Sequence, residues 1–494
     1  MTGVQTCALP IYAFGLVLFH AQTCDLVPFS YDEIKYTNQV EIHEHLHCPL
    51  AILAGWSFFF LFGWYWPWIG SVWICLFVAR AASAGRPLVI YFLKMTTLNL
   101  KWDFPMYADG PLKHGGCYLD SAATTFKPYP VVDAVVKFYT EQTAAVSRSA
   151  YQLAETATEM YEMARSRAGD FFNAPKDSVC FTRNATDSIN MVAEGIGFEE
   201  GDEVLISSQE HHSNILPWRS RVATDVFHVS KDGTFDLDDL SRRLHSRTRL
   251  LAITGASNVT GVRQPIEAVV ELAHRQGVAV LVDGAQLAGH GPVDLGQVGC
   301  DFFVASGHKM LAPSGAGILI QTPSEACRKV RPVRLGGGVV EQVSDINHML
   351  KRGSAAFEPG TPNVEGVLGL AAAMTYLDNV GLTAIERHIS GLVQYARDEL
   401  QKLDFIHLPF DSGPENVGIV SFQPQGSVDV GWVAQILSDR YDVAVRHGHH
   451  CAQPLFKRAN IGPTLRASFH VYNDKADVDK MVSALRDIRV LLTR

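Results

Sequence analysis

Three residues stand where their type and setting promise chemistry: Asp283, Lys309 and Cys451. Residues 278–282 (VAVLV) form a short apolar run rich in β-branched side chains, the pattern of a parallel strand buried on both faces, and the run ends in Asp283. A second apolar run, 302–305, ends in Ser306-Gly307-His308-Lys309. Ligands collect at the carboxyl ends of strands in open α/β sheets, so an acid and an amine are brought to neighbouring strand exits. A lysine able to form a Schiff base and an acid able to keep a pyridinium nitrogen protonated are the two groups that pyridoxal 5'-phosphate chemistry needs most. By themselves the two also have an ordinary reading, since an Asp after a strand is common and most loop lysines are solvated.

Cys451 lies among Arg446, His447, His449 and His450 in a polar loop flanked by Gly448 and Pro454. Positive neighbours favour the nucleophilic thiolate. A metal site and an inert thiol are the competing readings; the metal reading lacks a second ligand pair at partner spacing, and no metal is expected.

The elements that must position these groups follow from the pattern. A strand at 179–182 runs into Asn184-Ala185-Thr186-Asp187-Ser188, which opens a helix at 189–196. Small hydroxylic residues at a helix N-terminus suit a phosphate, or serve as a plain N-cap. The strand at 204–207 ends in Glu210-His211-His212-Ser213-Asn214, where the His211 imidazole is placed to stack on a pyridine ring or to lie on the surface. A strand at 250–254 leads to Ser257-Asn258, and the helix at 266–276 stops at Gly277 before the run that ends in Asp283. Strands alternating with helices predict a mainly parallel sheet covered by helices. A long helical stretch at 364–379 and 382–403 follows, and the remainder, with strands near 417–422 and 465–469, predicts a smaller α+β domain.

Length and composition set limits. The 494 residues, 47 % hydrophobic and 19 % charged, allow two or three ordinary globular domains. A formal charge of -9 gives no basic excess, so nucleic acid is not expected as a partner. Nine cysteines without paired spacing predict a reducing compartment and no disulfide framework. Residues 51–78 carry no charge over 28 positions, long enough for a membrane span or a short hairpin. Arg80, Arg86 and Lys94 after it would leave the downstream chain cytoplasmic. Residues 2–11 (TGVQTCALPI) read like a translated library adapter and Met95 is a natural start, so 1–94 is expected to be a mis-joined leader. His43, His45, His47 and Cys48 fall in that leader, where chance explains them better than a metal.

From Met95 onward the chain resembles the class V aminotransferase-like enzymes of fold type I, most closely the SUF-type (group II) cysteine desulfurases, which include selenocysteine lyases. The residues that carry the likeness are 118–125 (YLDSAATT), 210–218 (EHHSNILPW), Asp283-Gly284-Ala285-Gln286, Ser306-Gly307-His308-Lys309, 358–363 (EPGTPN), 446–455 (RHGHHCAQPL) and 466–473 (RASFHVYN). The resemblance implies an α/β fold: a large domain, 110–372, with a mainly parallel seven-stranded sheet, and a small α+β domain made of 95–109 with 373–494. It also implies roles. Lys309 would bind pyridoxal 5'-phosphate covalently, Asp283 would hold the pyridinium nitrogen, Gln286 would bond the phenolic oxygen and His211 would stack on the ring. Thr186, Ala185, Ser306 and His308 would surround the phosphate, with Thr361 reaching in from the second subunit of a homodimer. Asn258 and Arg466 would fix the substrate carboxylate beside Arg446, an arginine fork suiting a bidentate grip. Cys451 would take sulfur from L-cysteine, or selenium from L-selenocysteine, and a protein acceptor would collect the sulfur for iron–sulfur cluster assembly in the cytoplasm. The chain departs from the family pattern by keeping only Arg148 of a His-Arg-Gly run, by Gly255-Ala256 ahead of Ser257-Asn258, and by Ala185 where a hydroxyl residue is usual. A membrane-bound interaction protein with a vestigial cofactor fold is the reading from a different class, and it rests on 51–78 alone.

Overall fold

The computed structural model describes the chain from Leu98, apart from residues 99, 148, 411–414, 427 and 493–494, together with the backbone of three strands before it. Those strands, Ser57–Phe62, Ile74–Arg80 and Val89–Lys94, pair antiparallel in a compact unit of their own. The proposed span at 51–78 falls partly on them and otherwise lies outside the described residues, as do the His43 to Cys48 cluster and Arg148. Among the described residues no single helix is long and apolar enough to cross a membrane.

A seven-stranded sheet organises the second unit. Its strands are β1 (Val179–Thr182), β2 (Glu203–Ser207), β3 (Ala223–Phe227), β4 (Thr248–Thr254), β5 (Ala279–Asp283), β6 (Phe302–Ser306) and β7 (Gly317–Gln321). They lie in the order β1-β7-β6-β5-β4-β2-β3. Every neighbouring pair from β6 across to β3 is parallel, while β7 runs antiparallel to both β6 and β1. The sheet is therefore mainly parallel, as the strand and helix alternation predicts.

The apolar runs are explained by where alternate side chains go. Leu205, Leu251, Ile253, Val280, Val282 and Phe303 pack into one core with Phe172, Val269 and Leu377. Val204, Ile206, Leu250, Leu281, Phe302 and Val304 pack into another with Ile189, Val192 and Trp218. Successive side chains point to opposite faces, so a strand covered on both sides must be apolar at every position.

The covering helices include α1 (Gln152–Phe172), α2 (Ala185–Gly195), α3 (Ile266–Arg275) and α4 (Val364–Val380). α2 starts earlier than its apolar pattern, because the Asn184 side chain accepts a hydrogen bond from Asp187 N at 2.9 Å and caps the helix there. α3 stops where Gly277 takes a φ of +70°, a conformation that favours glycine.

The remaining chain forms a four-stranded antiparallel sheet of β8 (Ile406–His407), β9 (Ile419–Pro424), β10 (Arg446–Gly448) and β11 (Thr464–Ser468), in the order β8-β9-β11-β10. Its apolar face, Val420, Phe422, Leu465 and Ala467, meets Leu392 and Ala396 of α5 (Leu382–Gln401), Val433 and Leu437 of α6 (Val430–Tyr441) and Met481 and Leu485 of α7 (Lys475–Leu492). This is the α+β arrangement the sequence predicts.

Candidate active site

Asp283 is the last residue of β5 and pairs in register with Thr254 on β4 and Val304 on β6, two residues before Ser306. Just past Ser306 the chain makes a short turn, Gly307–Lys309, that carries Lys309 back over the strand ends. The turn is tethered: the His308 carbonyl accepts from Thr125 N at 2.8 Å, Thr125 Oγ1 at 3.0 Å and Thr124 Oγ1 at 3.1 Å. These threonines belong to the 118–125 stretch, whose position in the site follows from those bonds.

The acid and the amine face each other electrically. Asp283 is 5 % exposed and accepts from Ala285 N at 3.0 Å. Burial pushes its carboxyl above the ordinary range, against the pull of that N–H and of the Lys309 amine. Burial also holds the Lys309 amine down to about 8, with Asp283 opposing and the charges of Arg466 and Arg446 adding to the fall. A neutral, nucleophilic amine is thus within reach at physiological pH.

The helix end and the histidines complete one side. Ala185 N, the first amide of α2, donates to Ser306 Oγ at 2.9 Å, and Thr186 Oγ1 meets Ser213 Oγ at 2.7 Å. Gly317 lets β7 pass against the helix start, since a Cβ there would come within 2.5 Å of Asn184 Cα. His211 Nδ1 accepts from Ser213 N at 3.1 Å, and burial with nearby Lys309 depresses the imidazole to about 3, so the ring is neutral. His308 is likewise held at about 4 by burial and by Lys309 and Lys127. Beneath them Glu210, absent from the predicted site, is raised to about 8 by burial while it accepts from Asn214 Nδ2 at 2.7 Å and Thr254 N at 3.0 Å.

The opposite side comes from the small sheet. Arg446 on β10 and Arg466 on β11 are directly paired residues. Arg446 Nη2 lies 3.8 Å from the sulfur of Cys451, which is partly exposed. His450 and Cys451 both adopt left-handed backbone, with φ of +49° and +60°, a conformation that costs a side-chain-bearing residue about 1–2 kcal/mol. Hydrogen bonds hold the strained pair: His450 Nε2 with Thr464 Oγ1 at 2.8 Å, Asn258 Nδ2 to His450 O at 2.6 Å, and His212 N to Cys451 O at 2.9 Å. The last two bonds tie the cysteine loop to the strand exits of the large sheet.

Most of the predicted residues are therefore brought together. Thr361 is exposed, and among the described residues no hydrogen bond joins it to the others. Its loop is anchored instead by Glu358, whose carboxylate takes Arg165 at 2.6 and 2.9 Å and Phe181 N on β1 at 2.7 Å. Sequence reasoning missed Asp120, which pairs with Arg466 at 3.0 Å; it ends the Tyr118-Leu119 run, so the same strand-exit logic that singled out Asp283 applies to it.

The chemistry of the donor set fits pyridoxal 5'-phosphate. An acid, an amine of lowered basicity, a helix N-terminus and a neutral ring converge, and two buried polar atoms, Gln286 Oε1 and Arg466 Nε, have no hydrogen-bond partner among the described residues. Gln286 is otherwise fixed by donating from Nε2 to Ala122 O at 2.9 Å.

Comparison with known proteins agrees. A cysteine desulfurase of Klebsiella pneumoniae is 40 % identical over 407 residues, which is 80 % of this chain and 98 % of that protein. A probable cysteine desulfurase of Halalkalibacterium halodurans is 39 % identical over 378 residues, 74 % of this chain and 92 % of that protein. The solved structure of a cysteine desulfurase from Escherichia coli superimposes with a TM-score of 0.72 at 35 % identity, covering 79 % of this chain and 98 % of that one. The family description "Aminotransferase class-V" matches residues 117–481, a span that holds every site residue described above, and the chain belongs to that family.

Proposed function

We propose that the protein is a pyridoxal 5'-phosphate-dependent cysteine desulfurase that converts L-cysteine to L-alanine and leaves the sulfur on Cys451 as a persulfide. The observation that carries this reading is the meeting of two loops: Lys309 and Asp283 at the exits of the large sheet, and Cys451 bonded to the same exits through His212 and Asn258. The cofactor, when bound, supplies an electron sink that weakens the bonds at the substrate's Cα.

The chain's own residues do the rest. Lys309 binds the cofactor and, once released, moves the Cα proton, a role its lowered basicity suits. With the cofactor bound, Asp283 would keep positive charge on the ring nitrogen, Gln286 would meet the phenolic oxygen and neutral His211 would cover the ring. Ala185 and Thr186 at the start of α2, with Ser306 and His308, would hold its phosphate. Arg466, Asn258 and Arg446 hold the substrate. The Cys451 sulfur, giving up its proton, attacks the substrate sulfur; the Cβ–S bond breaks with its electron pair passing to Cβ, Cβ takes up a proton, and alanine leaves.

The large lobe, 110–372, is read as the cofactor platform, and 95–109 with 373–494 as the lobe that carries the cysteine loop. Exposure of Thr361 supports a homodimer in which it completes the partner's phosphate site. A sulfur-acceptor protein collects the persulfide, for iron–sulfur cluster assembly. Purified protein with cofactor and a reductant is expected to release alanine and sulfide from L-cysteine, and Cys451→Ala to abolish sulfide release while keeping the cofactor's visible absorbance. Full L-cysteine activity in Cys451→Ala would overturn the assignment. Activity of that variant confined to L-selenocysteine would assign a selenocysteine lyase instead.

A further inference from the structure

We propose that Asp120 is a positioning residue for the substrate's carboxylate: together with the Asn258 carbonyl it clamps the Arg466 guanidinium so that Nε is offered to the ligand. The inference rests on the reading of the site given above and adds to it the group that aims the arginine.

Arg466 is 1 % exposed, and a cation so placed requires a counter-charge within bonding distance. Asp120 Oδ1 supplies it, 3.0 Å from Nη2. Nη1 donates to Asn258 O at 2.9 Å. Nε, buried, has no partner among the described residues. A guanidinium is a rigid plane with its donors in fixed directions, so fixing both outer nitrogens fixes the direction of the third. The clamp is itself held. Tyr118 OH donates to Asp120 O at 3.2 Å, Ser121 N donates to Ser468 O at 3.3 Å, and Asn258 is bonded to the cysteine loop through His450 O at 2.6 Å.

The remaining charged groups that Arg466 meets include Arg446, which repels it. Without Asp120 the guanidinium would be pushed away from Arg446 and would lose its aim. A carboxylate arriving at Nε makes a charge-assisted hydrogen bond without displacing Asp120, so the site selects amines that carry an α-carboxylate over those that do not.

The test uses the cofactor-loaded enzyme with Asp120→Ala and Asp120→Asn. Steady-state kinetics give KM and kcat for L-cysteine; calorimetry gives Kd for L-alanine and for ethylamine, which differ by the carboxylate. Asp120→Ala is expected to raise KM and the L-alanine Kd about tenfold or more, the loss of one charge-assisted bond. kcat should fall less than about threefold, because the arginine does not touch the breaking bonds. Ethylamine binding should not change, and Asp120→Asn, which keeps the acceptor oxygen but not the charge, should fall between. Unchanged KM and Kd in Asp120→Ala would overturn the proposal, as would equal weakening of L-alanine and ethylamine or loss of cofactor absorbance in both variants. Should Asp120→Ala alone fail to fold, Asp120→Asn against wild type carries the same comparison. If the wild type makes no alanine from cysteine, the desulfurase reading fails, and the alanine-to-ethylamine ratio still decides the role of Asp120.

Discussion

Burial and charge act against each other at Lys309, and that balance makes its chemistry pH-dependent. The charged amine is the form that burial disfavours, so the neutral form takes over as pH rises through about 8 rather than through the usual range above 10. The rate at which the cofactor-free protein takes up pyridoxal 5'-phosphate should therefore climb from pH 7 to 9 and level off beyond. A rate independent of pH over that interval, followed by absorbance, would contradict the environment described for the amine. Lys309→Ala should prevent borohydride from fixing the cofactor to the chain, while Cys451→Ala should leave that reaction intact. At this scale the sequence is unusually open. Asp283, Lys309 and Cys451 are visible because each ends an apolar run or breaks a polar loop. Asp120 ends an apolar run as well, but its pairing with a partner 346 residues away leaves no local mark, and neither do the hydrogen bonds of the buried Glu210 carboxyl or the positive φ of His450 and Cys451.

The element proposed to hold the phosphate is the start of α2, and it depends on close passage by β7. Gly317→Ala would put a methyl group within about 2.5 Å of Asn184 backbone atoms. Overpacking of this kind costs about 1–3 kcal/mol and is expected to fall on the helix N-terminus, weakening cofactor affinity about tenfold or more with little change in helix content. A fluorescence titration of cofactor binding beside circular dichroism measures both, and unaltered affinity would show that the N-terminus tolerates the shift. The loop that carries Thr361 hangs on a different device, the buried Arg165–Glu358 pair. Glu358→Ala leaves buried Arg165 with only the half-exposed Glu162 as counter-charge, 3.3 Å from Nε, and should cost about 3 kcal/mol, visible as a clear drop in thermal midpoint. The long, two-sided apolar strands could be read from sequence, since period two and full burial leave a continuous run. β3 could not, because this edge strand (ATDVF) is mostly half-buried and carries polar residues, so its place shows only in its pairing with β2.

Across the whole chain, the described site lies between Asp120 and Arg466, inside the stretch that matches the family. A chain that starts at Met95 should keep its visible cofactor band and release sulfide within about twofold of the full chain, since every group of the site described above comes from Asp120 onward. Loss of cofactor in the shorter chain would show that the N-terminal unit takes part. The two lobes explain why the fold class was legible and the assembled site only in part: each sheet announces itself by its own periodicity, whereas the bonds from His212 and Asn258 to the cysteine loop join segments that sequence order keeps far apart. The account depends most on Cys451 receiving the sulfur at the strand exits beside Lys309. Intact-mass and peptide mass spectrometry of the cofactor-loaded protein, after brief exposure to L-cysteine without reductant, tests this directly. The expected result is one added sulfur atom on the peptide bearing Cys451; alanine formed with no sulfur on that residue, or with the sulfur on another cysteine, would contradict it.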